Sequence, residues 1–279
     1  MGQMAHLRSR GTHRLPPQVG GFLVVNPRAG DETPSAEQLA EAARKRGVEP
    51  HVLREGEDPM AVARSADADV LGVAGGDGSL APVAEVAMER DLPFVCLPYG
   101  TRNHFARDLG LDRDDPIGAL AAFGGRERRI DVGRAGDRLF LNNVSLGIYA
   151  RLVHRREEHR RRRHALARAR AWLILLTHRE PLGITVDGRP EETRLIFVAN
   201  NRYELELPTL GARRRLDEGA LYLYLLGDPA GGRRGERFVV DARAGRLEAA
   251  VDGEPDVLAT PVEFTIEPRA LRVLTPPRR

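Results

Sequence analysis

The feature that most constrains this chain is an alternation of two kinds of segment. From Gly20 to about Gly125, short apolar, β-rich runs (Phe22 to Val25, Pro50 to Arg54, Val70 to Ala74, Phe94 to Leu97) alternate with stretches of helical pattern (Ser35 to Arg46, Pro59 to Ala66, Leu80 to Glu89, Asn103 to Leu109, Pro116 to Phe123). Such alternation is the mark of βα units around a largely parallel sheet, so the first half is expected to be α/β. From Arg129 onward the runs are almost all β-like: Arg129 to Val132, Leu139 to Val144, Ile184 to Asp187, Arg194 to Ala199, Ala220 to Leu226, Arg237 to Ala242, Leu247 to Val251 and Val262 to Ile266. Strands following βα units predict a second domain of antiparallel sheets, with the boundary near Gly125 to Arg129. The expected division is a disordered tail at 1–19, an α/β domain at 20–128 to which 260–279 are a candidate return, and a β-rich domain at 129–259.

One interruption stands out. Residues 151–176 hold eight arginines between Arg155 and Arg170, three histidines and the pair Glu157-Glu158, with few apolar residues before Leu166. A helix that cannot bury a wide face should protrude. Three readings stay open for it: a dock for anionic lipid headgroups, a nucleic-acid patch, or a solvated helix with internal Glu–Arg pairs. Aromatic residues make up 5% of the chain and only Trp172 lies nearby, so stacking platforms for bases are lacking and no nucleic-acid partner is expected.

Composition then removes whole classes. Lys45, at the end of a helical stretch, is the sole lysine, which excludes a Walker-type phosphate loop, a protein-kinase strand lysine and a Schiff-base enzyme. The single cysteine, Cys96, lies in an apolar run and excludes a disulfide framework. The apolar runs fall short of the roughly 18 to 20 residues that cross a bilayer, and residues 1–18 lack the apolar stretch of a secretory signal, so a cytoplasmic protein is expected.

The chemistry is concentrated in three turns. Gly75-Gly76-Asp77-Gly78-Ser79 follows the run Val70 to Ala74 and opens a helix. Glycines there let a phosphate approach the backbone, the helix offers free N–H groups, and Asp77 can hold Mg²⁺ beside the phosphates; a purely structural strand-to-helix turn fits the same residues. Pro98-Tyr99-Gly100-Thr101-Arg102-Asn103 repeats the arrangement, with Thr101 as a hydroxyl or cap and Asn103 as a nucleotide or substrate contact. Asn26, in Val24-Val25-Asn26-Pro27-Arg28-Ala29-Gly30, ends the first strand at the same sheet edge. Ligands of open α/β sheets bind in such a crevice.

Together the turns resemble the diacylglycerol kinase catalytic family, whose patterns Asn-Pro-x-Ser/Ala-Gly, Gly-Gly-Asp-Gly-Thr/Ser and Pro-x-Gly-Thr-x-Asn-Asp-Phe-Ala-Arg occur here in that order. The resemblance runs on through Asn142-Asn143-Val144-Ser145-Leu146-Gly147, Leu216-Asp217-Glu218-Gly219 and Val251-Asp252-Gly253-Glu254-Pro255. It implies a Rossmann-like N-terminal α/β domain similar to NAD kinases and phosphofructokinases, and a C-terminal β-sandwich-like domain. It implies ATP and Mg²⁺ and a lipid alcohol such as diacylglycerol as acceptor; peripheral contact with an anionic membrane surface is the expectation that the arginine-rich segment adds. Asp252 maps onto the carboxylate that takes the lipid hydroxyl proton, Glu254 is its neighbour or substitute, and Asp77 completes the acidic set. Asp217 and Glu218 map onto a structural magnesium site; Asp252-Gly253 as an ordinary hairpin turn and Leu216 to Gly219 as a solvated turn remain the plain alternatives.

Several positions depart from the pattern. Arg54-Glu55-Gly56 stands where the family has Thr-Glu-Gly, and Arg54 is a candidate phosphate grip; Leu80-Ala81-Pro82 replaces Leu-Asn-Glu; His104 replaces an Asp. Arg151 follows the Ser-x-Gly segment where sphingosine kinases carry an acid, so a neutral or anionic lipid is expected rather than a sphingoid base. A kinase of a soluble acceptor, NAD kinase-like, and a catalytically silent nucleotide- or lipid-binding protein are the competing readings. An exposed edge strand in either domain offers a contact for a homodimer.

Overall fold

The computed structural model describes residues 20–29, 33–100, 103–147, 182–204, 211–226 and 232–277. The tail 1–19, the arginine-rich segment 151–176 and Thr101 lie outside the described residues.

Strands β1 (Gly21–Val25), β2 (Val48–Val52), β3 (Val70–Gly75) and β4 (Phe94–Pro98) pair in parallel in the order β2-β1-β3-β4. β1, β3 and β4 are apolar throughout because both faces are covered, and successive side chains point to opposite faces. Phe22, Val24, Leu71, Val73, Phe94 and Cys96 pack on one face with helices α2 (Pro59–Ser65) and α3 (Asp77–Glu89). Leu23, Val25, Ala74, Val95 and Leu97 pack on the other with Ala36, Leu39 and Ala43 of α1 (Ala36–Arg44). Cys96 is a core thiol whose burial raises its pKa. Two short helices follow, α4 (His104–Asp108) and α5 (Pro116–Ala119), the latter running into a 3-10 turn, Leu120–Gly124.

Helix α1 starts at a capping box, in which the Ser35 hydroxyl accepts from the Gln38 amide while Gln38 Oε1 accepts from the Ser35 amide. We expect Ser35→Ala to cost about 1 kcal/mol, read as a lower urea midpoint with unchanged slope.

The two longest strands, β5 (Arg126–Ala135) and β16 (Val262–Thr275), run antiparallel to one another. Near its C-terminal end β16 lies parallel beside β4, with Val273 opposite Phe94, so it extends the parallel sheet; near its start it pairs antiparallel with β13 (Arg237–Ala242). Between these stretches the register shifts from Glu267 to Leu271. There Arg269 adopts positive φ and its amide donates to the buried Asp131 Oδ1 at 2.8 Å. Strands β6 (Arg138–Phe140), β8 (Ile184–Val186) and β9 (Arg189–Glu191) complete this sheet among the described residues.

The second sheet is antiparallel in the order β12-β11-β10-β7-β14-β15, formed by β7 (Asn143–Gly147), β10 (Leu195–Asn200), β11 (Leu221–Leu225), β12 (Arg233–Gly235), β14 (Arg246–Val251) and β15 (Glu254–Ala259). Its inner face (Val144, Leu146, Ile196, Val198, Leu223) shares one core with Phe140, Phe238, Val240 and Phe264 of the first sheet.

Some expected bounds need correction. The strand placed at Val262 to Ile266 reaches Thr275, that at Arg129 to Val132 spans 126–135, and the run Leu139 to Val144 is two strands, β6 and β7. Helix α3 begins at Asp77 rather than Leu80, because Gly78 sits in the first turn, where a helix needs little propensity from it.

Candidate active site

Parallel pairing sets the carboxyl ends of β1, β3 and β4 side by side, so the three turns meet. The Asn26 amide donates to Ala74 O at 2.9 Å and its Nδ2 to Ser79 Oγ at 2.9 Å, which ties the turn after β1 to the first turn of α3. The glycine turns touch backbone to backbone: a Cβ on Gly100 would stand 2.5 Å from Gly76 Cα and 3.0 Å from its nitrogen. Gly75 is equally confined, since a Cβ there would meet Ser79 Cβ at 2.7 Å. Asn103, in the left-handed region, closes its own turn: Oδ1 accepts from Gly100 N at 2.8 Å and Nδ2 donates to Gly100 O at 2.7 Å. Its side chain therefore shapes the turn. Arg54 is exposed at the end of β2, and its amide donates to Glu57 Oε2 at 2.9 Å.

Asp77 opens α3. Its Oδ2 accepts from His104 N at 3.3 Å and its Oδ1 from Phe105 N at 3.2 Å, so it caps α4 from outside; Asn142 Nδ2 reaches Oδ1 at 3.5 Å.

Asp252 and Gly253 form a two-residue hairpin between β14 and β15, with φ of 49° and 88° and Val251 opposite Glu254. The hairpin brings Glu254 onto the glycine turn, where a Cβ on Gly78 would overlap the Glu254 side chain. Asp252 turns inward. Its Oδ2 accepts from Leu141 N at 2.7 Å, and its Oδ1 accepts from Asn142 N at 2.7 Å and Asn143 N at 3.0 Å. Burial raises its carboxyl to about 6 despite these three amides, and the nearby Asp77 charge pushes the same way.

Residues 21–135 match the family described as the diacylglycerol kinase catalytic domain. The matched segment, less than half of the chain, is similar to kinase catalytic domains. A protein of Pseudomonas aeruginosa named "Probable lipid kinase YegS-like" is 29% identical over 281 residues, spanning 89% of this chain and 91% of that one. The Bacillus subtilis protein named "Diacylglycerol kinase" is 32% identical over 89 residues, which span 31% of this chain and 29% of that one. A solved structure of a diacylglycerol kinase from Bacillus anthracis superposes with a TM-score of 0.66 at 21% identity over 92% of this chain and 96% of that chain, a likeness of fold.

Kinases of the matched family are expected to use a divalent cation, and the two acidic positions differ in how they would fit one. Asp77 fits: it stands at the crevice, and its contacts of 3.2 to 3.5 Å leave lone pairs open. Asp217 and Glu218 do not gather a donor set. Asp217 pairs with Arg215 at 3.1 Å and faces Arg269 at 3.9 Å, while the Glu218 amide donates to Asn201 Oδ1 at 2.9 Å. Among the described residues no group of three or more His, Cys, Asp or Glu is placed to hold a metal ion.

Sequence reasoning missed three buried polar residues behind the site. Asp131 Oδ2 accepts from Gly219 N at 2.7 Å and thereby holds the 216–219 turn. Arg213 is fully buried and pairs with Asp108 at 2.7 Å. The Tyr203 hydroxyl accepts from Asn143 Nδ2 at 3.0 Å, and burial raises it to about 12. Asp131 stands between Ile130 and Val132, Arg213 opens a run of three arginines and Tyr203 follows Asn200-Asn201-Arg202, and none of these settings marks a buried polar group.

Proposed function

We propose that the chain transfers the γ-phosphoryl group of ATP to the hydroxyl of a lipid alcohol such as diacylglycerol. The observation that carries this reading is the seating of the Asp252 hairpin on the glycine turn: Glu254 packs against Gly78 in the first turn of α3, so a buried carboxylate from the second sheet stands at the crevice of the first. Phosphoryl transfer needs positioning and charge neutralisation more than covalent chemistry. The first turn of the 13-residue α3 offers amides to phosphates, Gly75, Gly76 and Gly100 keep side chains out of their way, and Asn26 and Ser79 hold the two walls together. Arg54 serves as an exposed phosphate contact in place of a lysine. Asp77 would hold Mg²⁺, which when bound neutralises phosphate charge. Asp252 takes the acceptor proton; a carboxyl near 6 is ionised at neutral pH yet basic enough to accept as the new bond forms.

The names of the relatives favour a lipid acceptor, and Arg151 disfavours an amine-bearing one. We assign the parallel sheet and its helices to a Rossmann-like nucleotide domain (20–128 with the returning end of β16) and 129–259 to a β-sandwich-like acceptor domain. Contact with an anionic membrane follows from a lipid acceptor and is supported by the Arg155 to Arg170 cluster, at about 1 kcal/mol per basic residue near the surface. No helix among the described residues is long and apolar enough to cross a membrane.

The test is a labelled-ATP assay with Mg²⁺ and a panel of lipid alcohols in mixed micelles. Label in an organic-extractable product is expected. Label only in soluble acceptors such as NAD, or ATP binding with no transfer, would replace this reading with the soluble-acceptor kinase or the silent binder.

A further inference from the structure

We propose that Arg213 is a positioning residue for phosphoryl transfer: it couples helix α4 to the loop that holds Asp252, and so fixes where that carboxylate stands against the glycine turns. The proposal rests on the kinase reading above and extends it to a residue outside the motifs.

Arg213 uses its whole fork. Nε donates to Asp108 Oδ2 at 2.7 Å, at the end of α4; Nη1 donates to Leu141 O at 2.6 Å and Asn200 O at 3.0 Å; Nη2 donates to Asn142 Oδ1 at 2.6 Å. The guanidinium also lies 5.6 Å from the centre of the Tyr203 ring. A buried cation is costly unless paired and hydrogen-bonded, and apolar packing commonly stabilises such a spot as well, so the pattern of bonds, not burial, is what this arginine adds.

That pattern converges on Asp252. Leu141 gives its carbonyl to Arg213 and its amide to Asp252; Asn142 gives its side-chain oxygen to Arg213, its amide to Asp252 and its Nδ2 to Asp77. Two of the three amides that grip Asp252 therefore belong to residues that Arg213 holds by another atom. Through Asp108 the same guanidinium is anchored to α4, whose first amides are capped by Asp77. A lysine supplies charge but not a planar fork, so it cannot hold Asp108, two carbonyls and an amide oxygen in one plane.

Among the described residues the titratable groups around Asp252 include Asp77 on α3, Glu254 across the hairpin, the Tyr203 hydroxyl and Arg213 itself. The amides of Leu141, Asn142 and Asn143 lower the Asp252 pKa, and Arg213 and Asp252 attract. Loosening the loop and displacing the cation both favour the protonated carboxyl.

The experiment compares steady-state lipid phosphorylation by wild type, Arg213→Lys and Asp252→Asn across pH 5 to 9, with folding of each verified by thermal unfolding. For Arg213→Lys we expect kcat to fall about 10-fold or more with KM for ATP nearly unchanged, and the acid limb of kcat to move to higher pH. If Arg213→Lys does not fold, Asn142→Ala, which removes the side-chain links to Arg213 and Asp77 but keeps the backbone amide on Asp252, must move the limb in the same direction. A folded variant with the wild-type limb overturns the proposal, whether its kcat is unchanged or reduced, since a merely structural role lowers activity without shifting the base. If instead Asp252→Asn keeps wild-type kcat, the base reading itself fails and takes the proposal with it.

Discussion

Asp252→Asn will lower kcat by about 10²- to 10⁴-fold, the range that a positioned general base contributes, and will leave the fold intact. The variant keeps the shape of the side chain, and its carbonyl oxygen can still accept from Asn142 N and Asn143 N, while its NH2 group faces the Leu141 amide, which loses its acceptor. What it loses is the capacity to take a proton. In the wild type, activity should decline as pH falls through about 6, where burial has placed the Asp252 carboxyl, and that limb should be absent from whatever activity Asp252→Asn retains. Stability moves oppositely. Because the folded pKa lies above the unfolded value of 3.8, the folded state binds this proton more tightly, and the associated stability is complete below about 4 and lost as pH rises through about 6. Across that window the difference in unfolding free energy between the two proteins should shift in favour of the variant, by on the order of 3 kcal/mol at 1.36 kcal/mol per unit. Parallel denaturation curves at pH 4 and 7 measure it; no change in the difference would mean that the carboxylate is better solvated than its burial implies.

Gly100→Ala should be the most damaging small substitution in the crevice. Its Cβ would meet Gly76 Cα at 2.5 Å and Gly76 N at 3.0 Å, and a backbone cannot swing aside as a flexible side chain can. The two turns must part, which breaks the approach that shapes the proposed phosphate pocket. We expect a stability loss of about 1 to 3 kcal/mol and ATP binding weakened by about 10-fold or more, since the amides no longer converge. Gly124→Ala is the control: a Cβ there has no neighbour within 4 Å, so both properties should remain at wild-type level. Calorimetric titration with a non-hydrolysable ATP analogue reads both variants.

What could be seen in advance depends on how local the physics is. The strands β1, β3 and β4 were visible because a sheet covered on both faces demands unbroken apolar runs, and the turns were visible because glycine and asparagine are chosen there for backbone reasons. Asp252-Gly253 reads locally as a hairpin and is one, with both residues at positive φ; only the resemblance pointed past the turn to the side chain. Strands β5 and β16 were clipped because their outer halves are rich in charge. Arg272 pairs across them with Glu127 at 2.8 Å, a partner 145 residues away. Arg213 stood in a run of three arginines, of which Arg214 and Arg215 are exposed and one is fully buried. Nothing in the letters separates them, since the partners Asp108, Leu141 and Asn200 come from three distant segments.

The path of β16 also sets a schedule. During synthesis β4 emerges with β3 to pair on one side, but the strand that covers its other side begins to arrive only about 170 residues later, on the order of 10 to 30 s at typical elongation rates of 5 to 20 residues per second. Throughout that interval Phe94–Pro98, apolar at every position, presents an open hydrogen-bonding edge. The nascent chain should therefore be a substrate for holding chaperones until β16 is released from the ribosome, and slow translation should increase its aggregation.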